Sequence, residues 1–378
     1  MTGMGDGKQN SGAFRIGALD GLRGWAALAV VIFHFTIEMW SHRYPAFRSF
    51  LPSLIGNGQL AVAIFFALSG YVLTIRRWGC TDNPPLYLAL LRRYLRLTIP
   101  ILAAAFVFYL VMVLGLTPTH QASRIIDSRE WLGRIADFDP AIIDMLGFAF
   151  ARVYWFSLKH NYGPFLWTMV IELWFSLLVL TLSQFWQLKR SPYVVMLLVT
   201  AVFLYYFPQA ACFTMGAIMA KLQVDGLILT KEPGKIESIV ATLAVIAAFI
   251  AASFFHLPTE QMSIRSAGKL WPIAICGMVL VYAALRSRPV TAFLLTPFSQ
   301  ALGHLSFPVF LMHGIIAATV ASLLVVMRNT VGPIDEFMAL LIATAATLAS
   351  YAAAPILVPV EAFTLSFVRR IGQRRPKV

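Results

Sequence analysis

Apolar residues in this chain come in long runs, and the charged residues gather in the short polar stretches between them. The runs at 24–33, 97–116 and 174–182 hold no charged residue at all. A helix that crosses a bilayer needs about 20 mostly apolar residues, so such runs read as membrane spans. Taken in order they predict ten, near 24–40, 58–75, 97–116, 164–187, 193–207, 209–222, 238–256, 271–285, 300–326 and 335–359. A weaker stretch at 142–158 carries Asp144 and Arg152 and is expected to be re-entrant or interfacial. The expected fold class is therefore an all-α polytopic membrane protein with about ten transmembrane helices. Its expected domains are a disordered N-terminal tail at 1–14, a membrane domain at 15–366 and a basic tail at 367–378.

Charge placement orients these spans. Lys and Arg concentrate on the cytoplasmic side of a membrane. With ten spans and a cytoplasmic N-terminus, that side receives Arg76, Arg77, Arg92, Arg93, Arg96, Lys189, Arg190 and the residues from Arg369 to Lys377. The long loop 117–163 falls outside, where Asp127, Glu130, Asp137, Asp139 and Asp144 offset its basic residues. An eleventh span would place the basic tail outside, so ten spans with both termini cytoplasmic is the expectation. The first apolar run follows a polar start and lacks a small-residue cleavage site, so it reads as a retained helix.

Composition agrees. Of 378 residues, 59% are hydrophobic and 12% charged, about half the charged share of a soluble domain. The net charge of +13 raises the question of nucleic acid, but its placement at the ends of apolar runs answers to membrane orientation instead. Cys80, Cys212 and Cys276 are scattered, which gives neither a disulfide framework nor metal-ligand spacing. No metal and no bound cofactor is expected.

Ionisable groups inside spans are costly and mark functional sites. Arg23 and His34 share the first span. Eleven residues of helix return to within about 20° of one face and rise ~16 Å. One stripe thus offers a cation at the cytoplasmic mouth and a proton-transfer group within the membrane. Glu38 lies one turn further on and is a candidate to orient the imidazole. Glu172 and His313 fall at comparable depth in the fourth and ninth spans. Arg92 or Arg93 shares a helical face with Arg96, which suits phosphate binding. The competing reading assigns the arginines to orientation and the buried groups to interhelical hydrogen bonds or ion pairs.

Several of these residues sit in motifs. The segment Ala18-Leu19-Asp20-Gly21-Leu22-Arg23-Gly24-Trp25, continuing to His34-Phe35, resembles the first-helix signature of the acyltransferase-3 family of membrane O-acyltransferases. Phe65-Phe66-Ala67-Leu68-Ser69-Gly70-Tyr71 is similar to that family's second-helix motif, and Arg93-Tyr94-Leu95-Arg96 to its paired arginines. Gly163-Pro164-Phe165-Leu166-Trp167-Thr168 through Glu172, and Leu302-Gly303-His304-Leu305-Ser306-Phe307 through His313, resemble its later elements. Phe307 stands where the family usually has Tyr, and Phe310 likewise lacks a hydroxyl.

The resemblance implies an enzyme of the cell (inner) membrane that moves an acyl group, acetyl by default, from acyl-CoA as co-substrate to a hydroxyl of a carbohydrate, glycan or other acceptor. Such enzymes modify polysaccharides of the cell envelope. His34, Glu172 and His313 are then the expected catalytic residues, and Arg23, Arg93 and Arg96 the expected acyl-CoA ligands. A secondary transporter would also bury such residues, but it predicts repeated halves with broken helices, and none is visible. A non-catalytic partner in polysaccharide export is the other alternative. The intact Arg23, His34 and Glu172 argue against it.

Overall fold

A computed structural model describes residues 6–79, 83–155, 159–187, 193–255 and 270–372. Cys80, Lys189, Arg190 and the ends of both expected tails, 1–5 and 373–378, lie outside the described residues. Among those described, every regular element is helical. Each of the ten apolar runs coincides with a helix: α1 (Asp6–Phe33), α2 (Gly58–Gly79), α3 (Leu86–Val113), α4 (Thr168–Gln187) and α5 (Tyr193–Tyr206). The others are α6 (Pro208–Val224), α7 (Lys235–Phe254), α8 (Trp271–Arg286), α9 (Pro297–Ile316) and α10 (Glu336–Ala353).

Seven of these helical runs are long and apolar enough to cross a membrane, or eight if α8 is joined to Arg288–Leu294 across a 92° bend. The remaining difference from ten arises at α5, which has 14 residues, and α6, which has 17. At 1.5 Å per residue both fall short of a 30 Å hydrocarbon core. The weak stretch at 142–158 forms a nine-residue helix, Ile142–Phe150. That is about 14 Å of helix, too short to span. At the N-terminus α1 begins at Asp6, inside the segment expected as a tail. Once an apolar run has nucleated a helix, each added residue needs only one more hydrogen bond. At the other end, the helix Val358–Arg370 carries the first part of the expected basic tail.

The chain divides into two compact units. The first comprises Met1–Val30, Asn57–Thr81 and Leu182–Ser306. Within it α2 packs against α6 and α8, α5 against α6, and α7 against α8. Glycine makes the α2–α6 contact possible: a Cβ on Gly70 would lie 2.0 Å from the Phe213 carbonyl oxygen, and one on Gly216 2.1 Å from that of Ala67. Small residues at such crossings let two backbones meet where lipid supplies no hydrophobic drive between helices. Gly216→Leu is therefore expected to lower the thermal unfolding midpoint in detergent, with about 1–3 kcal/mol lost to overpacking. An unchanged midpoint would show that α6 can shift freely.

The second unit comprises Val31–Gly56, Asp82–Thr181 and Phe307–Val378. Here α3 packs against Ile142–Phe150 and against Val358–Arg370. Arg92 donates to the Ile371 carbonyl at 2.6 Å, which ties the start of α3 to the end of the last helix. Two π-helical turns lie among the described residues of this unit. A π-turn, His34–Glu38, continues α1, and a second, Ala317–Ala321, continues α9. Both pack against α10.

Candidate active site

The second unit brings two imidazoles together. His34 opens its π-turn, and the N–H of Met39 donates to the His34 carbonyl five residues back. Single π-turns inside helices gather at functional sites. His313 lies four residues before the other π-turn. The two rings stack at 5.2 Å between centroids and 29° between planes. His313 is fully buried and His34 nearly so.

Hydrogen bonding sets the tautomer of His313. Its Nδ1 lies 2.7 Å from the Phe310 carbonyl oxygen. A carbonyl only accepts, so Nδ1 carries the proton. Phe310 thus serves His313 through its backbone, where the missing hydroxyl has no bearing. The His313 Nε2 and the His34 Nδ1 are buried without a protein hydrogen-bond partner. Nearly all buried polar groups are satisfied, so two orphans on adjacent rings ask for an explanation. They suit a base that meets its partner only when substrate is bound.

Phe165 joins both rings. It stacks on His34 at 4.1 Å and 11°, and on His313 at 5.2 Å and 28°. Trp131, from the loop between α3 and α4, stacks on Phe165 at 5.1 Å and 13°. The backbone of Phe165 has φ +70°. That left-handed conformation is rare for a bulky residue, and such strain clusters at functional sites. Gly314, next to His313, lets the turn come close: a Cβ there would lie 2.6 Å from the Pro164 carbonyl oxygen.

The loop that leads into this turn is cross-braced. Arg152 donates to the Asp144 carboxylate at 2.6 Å, and His160 Nδ1 meets the same carboxylate at 2.9 Å. The Tyr162 hydroxyl bonds both the amide and the carbonyl of Ala141. The Arg152 hydrogen bond leads the causes that hold the Asp144 carboxyl below its usual range, and His160 adds to it. A carboxyl depressed in the folded state contributes stability above its unfolded value of about 3.9, and loses it as pH falls through the folded value. Hydrogen exchange in 141–162 is thus expected to hold steady from neutral pH to about 5 and to rise below about 4, once corrected for intrinsic rates. Asp144→Asn should flatten that rise, and an unaltered profile would remove Asp144 from the brace.

Arg93 and Glu172 meet each other. Both are buried, and the Arg93 guanidinium is ion-paired with the Glu172 carboxylate. Arg93 Nε also donates to Ser176 Oγ at 3.0 Å. Glu172 and Ser176 are four residues apart on α4, so one arginine of α3 grips two positions on one face. Nearby on α3, the Thr98 hydroxyl bonds the Tyr154 hydroxyl at 2.8 Å. Arg96 is exposed. Arg23 belongs to the first unit, where its NH1 donates to Asp20 Oδ1 at 2.8 Å. Of the six expected site residues, then, His34 joins His313 and Arg93 joins Glu172.

Sequence reasoning missed Trp131 and Ser176, and noted Phe165 only as a member of the segment from Gly163 to Glu172. Four-residue spacing from Glu172 was an available signal for Ser176. The ring of Trp131 had none, and the stacking of Phe165 had none beyond its place in the segment from Gly163 to Glu172, since a left-handed backbone at a phenylalanine leaves no mark in the sequence. Among the described residues no cluster of His, Cys, Asp and Glu is arranged to hold a metal.

The acyltransferase-3 family model, described as an acyltransferase domain, matches residues 16–357. Among curated proteins, the O-acetyltransferase PaAT-1 of Phomopsis amygdali is 26% identical over 355 residues, which covers 78% of this chain and 71% of that protein. No solved structure matches the chain.

Proposed function

Because the chain belongs to the acyltransferase-3 family, we propose that it is a multi-pass membrane enzyme that transfers an acyl group from coenzyme A to a hydroxyl of a carbohydrate acceptor. The pair of buried, stacked imidazoles with unpartnered nitrogens carries this reading. Acetyl is the proposed acyl group, in keeping with the O-acetyltransferase relative. The proposed topology has ten spans, both termini in the cytoplasm and loop 117–163 outside. A C-terminal reporter active only in the cytoplasm checks it, and a silent but well-expressed fusion would overturn it.

In the proposed reaction a neutral His34 takes the proton of the acceptor hydroxyl as the oxygen attacks the thioester carbonyl. The C–S bond breaks, the new C–O bond forms, and the departing thiolate takes up a proton. His313 holds its own Nδ1–H on a backbone carbonyl, so its Nε2 is fixed in direction beside His34. Phe165 fixes the plane of the His34 ring. In the second unit Arg96 is the proposed ligand of the coenzyme A phosphates. Arg93, engaged with Glu172 and Ser176, is read as the tie between α3 and α4.

The test is to incubate the purified protein with isotope-labelled acetyl-CoA and a glycan extract, and to read the products by mass spectrometry. Label in an ester on a glycan hydroxyl is the expected result. Movement of unmodified glycan across vesicles, with no ester formed, would favour a transporter.

A further inference from the structure

The first unit contains a cavity of about 610 Å³ that the proposed reaction does not use. Its wall is apolar: Met215 and Met219 from α6, Met278 from α8, Val240 and Ala244 from α7, and Leu197 from α5. Thr200 also lines it, but its hydroxyl is spent on the Met196 carbonyl and on Thr214. Three methionines give a wall that adapts to a flexible apolar guest. The volume is that of an ordinary small-molecule site. Leu197 and Val240, both exposed, mark an open side between α5 and α7. Elsewhere on α5 and α7, Leu198, Val202, Ile239 and Leu243 are exposed and apolar, as a lipid-facing surface would be.

One end of the cavity is ionic. Arg286 and Glu237 close it as an ion pair, and Arg286 NH1 donates to the Lys231 carbonyl at 2.6 Å. Arg288 donates to the Pro233 carbonyl at 2.7 Å, and its amide donates to Ser238 Oγ. These bonds staple segment 231–238 to the end of α8. With Glu237 paired to Arg286, the exposed Lys231, Lys235 and Arg288 outnumber the exposed Glu232, so the rim carries excess positive charge. From Met278 to Arg286 the helix rises about 12 Å. That is most of the ~15 Å hydrocarbon depth of one leaflet. The cavity therefore runs from headgroup level, where its charges lie, into the acyl region.

We propose that this cavity binds one acyl chain of an anionic glycerophospholipid, whose phosphate rests on Lys231 and Lys235. Basic residues at a membrane surface attract anionic lipid. The proposal rests on the membrane reading of the chain and is independent of acyl transfer.

Native mass spectrometry of the full chain in detergent, with phosphatidylglycerol and phosphatidylcholine of identical acyl chains as probes, tests it. The expected result is retention of one phosphatidylglycerol at least ten-fold in preference to phosphatidylcholine. Ala244→Phe, which fills the cavity, should cut that retention at least ten-fold. Lys231→Gln with Lys235→Gln, on the exposed rim, should reduce it to the phosphatidylcholine level, and this pair decides the matter if Ala244→Phe fails to fold. Equal retention of the two lipids by the parent protein, or undiminished phosphatidylglycerol on either folded variant, would overturn the site. Because the readout is lipid mass, a failed transfer assay leaves it untouched.

Discussion

His34→Ala is expected to yield a folded, membrane-inserted protein that transfers no acyl group at a measurable rate. A positioned general base contributes roughly 10²–10⁴-fold, so its loss alone takes turnover to background. Folding survives because the His34 Nδ1 has no protein partner to strand, and the ring's neighbours are the aromatic faces of Phe165 and His313. His313→Ala differs: it removes the Nδ1–H bond to the Phe310 carbonyl and so adds a stability cost of about 1 kcal/mol to any loss of rate. Rates measured at equal protein with labelled acetyl-CoA, alongside thermal midpoints, separate the two. Parental turnover by His34→Ala would return this histidine to helix packing.

Arg93→Ala is expected to be the most destabilising change in the second unit. Arg93 and Glu172 are both about nine-tenths buried and paired with one another. Removing one partner of a buried ion pair costs about 3–5 kcal/mol. The double variant Arg93→Met with Glu172→Leu should recover most of that loss, because it removes both charges and keeps apolar volume. Thermal unfolding in detergent, together with acyl-CoA affinity at fixed salt, distinguishes this from phosphate binding. A stable Arg93→Ala protein with weakened donor affinity would make Arg93 a ligand of the coenzyme. Arg96→Ala provides the comparison: Arg96 is exposed, and loss of one charge-assisted contact costs about 1.5–3 kcal/mol of binding without a matching loss of stability.

Local pattern carried a great deal. Apolar runs mark helices because in lipid a helix satisfies its own backbone, so all ten runs were legible and each became a helix. His34, Glu172 and His313 were legible as candidates because an ionisable group within an apolar run is expensive, and Arg93 through its spacing from Arg96 and its motif. What the pattern could not supply was partnership. Glu172 meets Arg93, because which face of α4 meets α3 depends on packing between distant segments. The π-turn His34–Glu38 departs from the regular 100° step, a change of winding that no local pattern marks. Phe165 reaches both histidines through a left-handed backbone held by a turn that glycine admits to α9. The sequence by itself determined the helical membrane fold and its family, because periodicity, charge placement and motif order are properties of the chain read locally. The pairing of His34 with His313, the burial of Arg93 against Glu172 and the apolar cavity of the first unit were decided by the tertiary structure, because each joins side chains that only the packing of separate helices brings within reach.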